Sequence, residues 1–410
     1  MQPQKHLGPE VTSSRSAELD LMLLCARWPQ RQEDRQLIEE LCSRQMNWPR
    51  FLRLTRHHRL VPLVWQNLQA ANIARTGSAE QQAVLEEMRQ LAAKNSYAAL
   101  RSLGELRRVV QELQAQNLSV CVLKGLPLAQ TLFGDIGLRA AGDLDLLIDE
   151  RAIPQADRSL RNAGYCGLFQ VGRFTPRQFA FYRNHWKDIN YRNPNNGFEV
   201  DLHWRLFRNR AMPGSRLCAT SARESVHFGD LCVETLPLRE NLLYLCVHGT
   251  LDGWLFFKSL ADIAAHVRAM TEAELDMLAD FAVGYDVLPE LSATLTMVRR
   301  YLTMDCWSAR LLPQSDSTVA HILRYADRAL VQGDFLAERE EISIAATMAF
   351  KYGLRENFRY RRELLLRILF RARMWKTFPL PDRLFWVYPL LSPVEWLYFR
   401  LRQRTAESES

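Results

Sequence analysis

The spacing of apolar residues along the chain changes character twice. From Ala17 to about Leu68 the stretches LDLMLLCARW, LIEELC and FLRLTRHHRLVPLVWQNL repeat at three- and four-residue intervals, which predicts short helices with one buried face. From Ser78 to about Gln116 an Ala-, Leu-, Glu- and Arg-rich run predicts one long helix closed by Asn117. LSVCVLKG is β-branched and ends in glycine, the mark of a buried strand followed by a turn. LPLAQTLFGD then suits a helix with Pro127 in its first turn. DLDLLID and GFEVDLHWRL alternate with period two, and beyond Pro237 the helical spacing returns. The predicted class is α+β, a small mixed sheet flanked by helical regions. Its segments are a disordered 1–16, a helical 17–117, an α/β core over 118–237, a helical 238–345, a basic aromatic 346–404 and a disordered 405–410.

Composition changes this picture little. A chain of 410 residues that is 48% hydrophobic has material for more than one packed unit. Its net charge of +7 fits an ordinary basic surface better than a dedicated polyanion binder. Eight cysteines, at 25, 42, 121, 166, 218, 232, 246 and 306, form no C-x-x-C pair, which suits a reducing compartment. The first residues hold no apolar signal segment, and no run of eighteen uncharged apolar residues occurs. Cytoplasmic residence is expected, with peripheral membrane contact left open.

The candidate chemistry sits in the alternating segments. Side chains i and i+2 of a strand share a face, so Asp143 and Asp145 point together while Leu144, Leu146 and Ile148 point away. Two carboxylates roughly 6 to 7 Å apart repel, which is tolerable at a wet strand edge or around a divalent cation. A second strand favours the cation, because Glu199, Asp201 and His203 share one face of FEVDLHW, opposite Phe198, Val200, Leu202 and Trp204. Upstream, the Lys124-Gly125 turn before a helix offers backbone N–H groups and a dipole end to phosphate, and Lys124 and Arg139 add charge.

The ordered combination VLKG, LRAAGDLDLLI, NHWKDINYRN, VDLHWRL and YLCVHGTLDGWLFFKSLADIAAHV resembles the uncharacterised nucleotidyltransferases of the DNA polymerase β-like nucleotidyltransferase superfamily, over roughly residues 17 to 270. The resemblance implies a nucleotidyltransferase sheet and Mg²⁺-dependent transfer of a nucleoside monophosphate from an NTP to an acceptor hydroxyl. It matches Asp143, Asp145 and Asp201 to the residues that hold two Mg²⁺ ions in a two-metal mechanism. Lys124, Gly125 and Arg139 match the triphosphate side by position and charge. The superfamily's opening signature is glycine followed by glycine or serine, and here Lys124-Gly125-Leu126 stands in its place. The acceptor has no readable signature: a saccharide, a small metabolite, a protein hydroxyl and an RNA 3′ end all fit. The alternative is a catalytically inactive nucleotide-binding or scaffold protein of the same fold.

Other residues carry two readings each. His203 either hydrogen-bonds a metal-binding aspartate or is a structural imidazole bonded to backbone. Trp204 suits the core better than a base-stacking role. His185 and Asp188 precede the second alternating strand and could border the site. His248 with Asp252, and Lys258 with Asp262, are spaced for i,i+4 pairing, in a segment that either closes over nucleotide or is a surface helix. Nine Lys or Arg accompany two Glu between residues 351 and 376. That stretch suits an anionic membrane or nucleic acid, whereas Leu364, Leu365, Ile368 and Leu369 suit docking on the protein itself.

Overall fold

The computed structural model describes residues 15–73, 77–140, 142–167, 169, 171–217, 222–304, 308–331 and 343–392. The expected disordered ends lie outside these residues, apart from Arg15 and Ser16. So does the segment from 393 onward.

Helices α1 (Ala17–Cys25), α2 (Gln32–Ser43), α3 (Trp48–His57), α4 (Val61–Ala70) and α5 (Ala79–Ala115) form the lead. Ser16, Asn47 and Ser78 accept backbone N–H groups at the starts of α1, α3 and α5, satisfying donors that have no partner inside the helix. The long helix ends one residue before its predicted limit, and Asn117 takes the left-handed conformation at φ 57° that turns the chain toward the sheet.

The chain then runs through β1 (Cys121–Val122), α6 (Leu126–Phe133), β2 (Leu144–Leu147), α7 (Ile153–Asn162), β3 (Cys166–Gly167), α8 (Pro176–His185), β4 (Asp188–Arg192), β5 (Glu199–His203), β6 (Glu224–Phe228) and β7 (Leu231–Thr235). These seven strands form one mixed sheet in the order β3-β4-β5-β2-β1-β7-β6. The β2–β5 and β1–β7 pairs are parallel and the others antiparallel. Asp188, ahead of the FEVDLHW strand as expected, is itself the first residue of a further strand, β4.

Helices α9 (Leu238–Leu251), α10 (Phe257–Val267), α11 (Glu272–Gly284), α12 (Leu288–Leu302), α13 (Ser317–Val331), α14 (Ile344–Gly353), α15 (Phe358–Leu369) and α16 (Ala372–Thr377) complete the fold. The break between α9 and α10 has a steric cause. Gly253 and Trp254 both have positive φ, and the Trp254 ring folds back so closely that a Cβ on Gly249 would lie 2.5 Å from it.

Two cores lie on opposite faces of the sheet. The first joins α1–α4 and the first half of α5 to α9–α13, with Leu123 and Leu147 from the sheet, so helices far apart in sequence bury one shared interior. The second holds Leu144, Leu146, Ile148, Val200, Leu202 and Trp204 against the second half of α5, α7 and α8. The basic C-terminal region closes this second core with Phe370, Met374, Trp375, Phe385 and Tyr388. Trp375 meets Phe174 and Trp186 edge-on, and Thr175 hydrogen-bonds Asp382. Burying a side chain of this size contributes about 2–3 kcal/mol each, enough to hold the strap on α8. Of the four aliphatic residues expected to dock it, Leu364 alone is buried. Leu365, Ile368 and Leu369 face outward because the packed face of α15 runs through Tyr360, Glu363 and Leu364.

Candidate active site

The parallel pairing of β2 with β5 sets Asp145 directly beside Asp201, and Leu144 beside Val200. Period-two alternation then places the carboxylates on one face and the aliphatic side chains in the second core. Asp145, Asp201 and His203 each offer a ligand atom within 4.8 Å of the others. Asp143, just ahead of β2, is exposed, and its charge reaches Asp201.

The two strand carboxylates titrate differently. Asp145 is buried, yet its carboxyl is held well below the usual range, because a hydrogen bond to His203 and the charge of Lys124 outweigh the cost of desolvation. Asp201 is pushed up to about 6, first by burial and then by the neighbouring charges of Asp145, Asp188 and Asp143, against a hydrogen bond from Asn190. Like charges therefore crowd Asp201, and the oxygen-rich donor set fits a hard divalent cation.

His203 is fully buried, with Nε2 3.1 Å from Asp145 Oδ1, the first of its two expected readings. Burial holds the imidazole below its ordinary pKa and so neutral. A charged carboxylate only accepts, so the proton sits on Nε2 and the ring orients Asp145. Trp204 is core, its Nε1 donating to the Arg183 carbonyl.

Lys124 leaves β1 through Gly125, whose φ of 73° and ψ of −123° suit glycine and starts α6. Its Nζ lies 3.4 Å from Asp145 Oδ1 and 3.1 Å from His248 Nε2. His248, also neutral through burial, must accept at Nε2 and so donates Nδ1–H to Asp252 at 3.0 Å. The expected His248–Asp252 pair thus exists, and it steers Lys124 from α9.

The expected Lys258–Asp262 pair does not form. Asp262 is taken by Arg139, which contacts it through Nε at 3.1 Å and through an ion pair at 3.0 Å. Lys258 turns instead to the Ala140 carbonyl at 3.4 Å, and its pKa falls to about 7 through burial and the nearby charges of Arg139, Arg59 and Lys124, against Asp262. Sequence reasoning grouped Lys124 with Arg139 and missed Lys258, which joins them only in space. His185 pairs with Glu363 of α15 at 2.7 Å. Asp188 borders the site, register-paired with His203 and held by Lys187 at 3.3 Å.

A pH dependence follows. Asp201's folded value lies above its ordinary 3.8, so the fold binds that proton more tightly than the unfolded chain does. The stability it contributes is complete below about pH 4 and lost as pH rises through about 6. A divalent cation bound at Asp201 would remove that penalty. The rise in melting temperature on adding Mg²⁺ is therefore expected to be small at pH 5 and to plateau above pH 7. An equal shift at both values would contradict the assignment.

Among the described residues no helix is long and apolar enough to cross a membrane. No curated protein matches the chain. Among solved structures it is similar to the crystal structure of an antigenic nucleotidyltransferase-like protein from Paracoccidioides brasiliensis, at 18% identity and a TM-score of 0.29, over 52% of this chain and 92% of that one. Residues 44–303, which run from α3 of the lead through the sheet to the end of α12, match the family described as uncharacterised nucleotidyltransferase. That match takes in the VLKG turn, the paired aspartate strands and the His248 helix, and with more than half of the chain inside it the protein belongs to the uncharacterised nucleotidyltransferase family.

Proposed function

We propose that the protein transfers a nucleoside monophosphate from an NTP to an acceptor hydroxyl, with Mg²⁺ held by Asp143, Asp145 and Asp201. The observation that carries this reading is the register pairing of Asp145 with Asp201, which concentrates carboxylates on one face of the sheet and leaves Asp201 crowded by like charge. When bound, the metal neutralises charge on the entering and leaving oxygens of an in-line displacement at the α-phosphate.

The chain's own residues do the rest. His203 fixes the orientation of Asp145. Lys124, steered by His248, and Lys258 bind the β- and γ-phosphates as point charges, while the Gly125 turn offers N–H groups at the start of α6. Arg139 adds charge from a position anchored by Asp262. Asp201 accepts a hydrogen bond from the acceptor hydroxyl and orients it.

The test is thermal. Melting temperature should rise with Mg²⁺ plus a non-hydrolysable NTP together, well beyond either alone. A rise with nucleotide that is indifferent to metal, and no transfer of label, would favour an inactive nucleotide-binding protein instead. Lys258→Ala is expected to weaken NTP binding about tenfold by calorimetry, the value of one charge-assisted contact. Unchanged affinity would remove Lys258 from the triphosphate site.

A further inference from the structure

A second group of cations lies on the other side of the carboxylates. Along the sheet, β1 with Lys124 flanks the β2–β5 pair on one side and β4 with Asp188 flanks it on the other. Arg208, just past β5, reaches Asp188 Oδ1 at 3.8 Å. The next residue, Asn209, donates its side-chain N–H to the Tyr360 carbonyl at 2.9 Å, which ties this segment to α15. Tyr360 in turn donates its hydroxyl to the Lys351 carbonyl at 2.9 Å, which ties in the end of α14. Arg367 stands two turns beyond Tyr360, on the face of α15 that Tyr360 and Leu364 bury. Three elements thus bring Arg208, Lys351 and Arg367 within reach of one another's charge, with Asp188 near Arg208 and Arg367.

Neither the Lys351 side chain nor that of Arg367 makes a hydrogen bond or ion pair among the described residues, although both are half-buried. Burial and then the Arg208 charge lower Arg367 to about 10, against Tyr360, Glu363 and Asp188. Burial lowers Lys351 too, with the charges of Arg367 and Arg208 acting in the same direction and Asp252 opposing. Arg208 has Asp188 at 3.8 Å, whereas the carboxylates that attract Arg367 (Glu363 and Asp188) and Lys351 (Asp252) make no ion pair with them, so a dianion would give these two crowded cations a direct counter-ion.

We infer that Arg208, Lys351 and Arg367 bind a phosphomonoester carried by the acceptor, on the β4 side of the carboxylates and apart from the triphosphate. Calling the ligand an acceptor rests on the nucleotidyl-transfer reading; the phosphate site itself does not.

Inorganic phosphate titrated calorimetrically into the full chain, saturated with Mg²⁺ and a non-hydrolysable NTP, tests this. One phosphate is expected to bind. Lys351→Gln with Arg367→Gln should weaken it about tenfold or more, leave NTP affinity within about twofold, and be partly rescued by restoring Arg367 as lysine. Phosphate binding that survives the double substitution overturns the inference, as does none at all to the nucleotide-saturated protein. Preference for a short oligoribonucleotide over phosphate at these residues would overturn the monoester in favour of a nucleic acid backbone. If no NTP binds to any variant, the transfer reading fails by itself, and the same titration without nucleotide still decides the phosphate site.

Discussion

Asp145→Asn is expected to lower nucleotidyl transfer by about a thousandfold. The substitution keeps the shape of the side chain and an oxygen for the His203 N–H, and it removes the charge that Lys124 faces at 3.4 Å. Two effects on stability then oppose each other. The attraction to Lys124 is lost, while Asp201 is freed of its largest charged neighbour and its pKa falls back toward the ordinary value. The net change in stability should stay within about 2 kcal/mol, so melting temperature and activity should separate clearly. Activity retained in a folded Asp145→Asn protein would remove Asp145 from the chemistry.

Asp201→Asn should abolish transfer to a similar extent and yet raise the stability of the metal-free protein at pH 7 and above. The elevated pKa means that the charged Asp201 costs the fold free energy there, on the order of 1–3 kcal/mol for a shift from 3.8 to about 6 in a partly buried group. An uncharged amide is free of that cost and keeps a partner in Asn190. The variant's gain should vanish near pH 4, where Asp201 is protonated in the fold. Melting curves from pH 4 to 8 read this directly. A variant less stable than the parent at pH 8 would mark the carboxylate as structural.

The carboxylate face was legible in the sequence because a period of two is a local property: Asp145 and Asp201 need only their own strands to point the same way. That β2 and β5 pair in parallel and in register was not local, and no spacing in the chain encodes it. The same divide explains Arg139. Its charge was visible, but its partner Asp262 lies on α10, and that contact displaced the Lys258–Asp262 pair which helical spacing suggested. One signal was available and unused. In SVHFGDLCVET two alternating runs flank Gly229-Asp230, and this is the β6–β7 hairpin, with Gly229 at φ 62°. The merging of α1–α4 with α9–α13 into one core was hidden for another reason: amphipathic spacing shows that a face is buried and not against what.

The most direct test of the account is a count of divalent ions. Mn²⁺ titrated into the protein with a non-hydrolysable NTP, followed by electron paramagnetic resonance, should show two bound ions in the parent and loss of at least one in Asp145→Asn and in Asp201→Asn. Parent protein that binds nucleotide with no protein-dependent Mn²⁺, or variants that retain both ions, would contradict it.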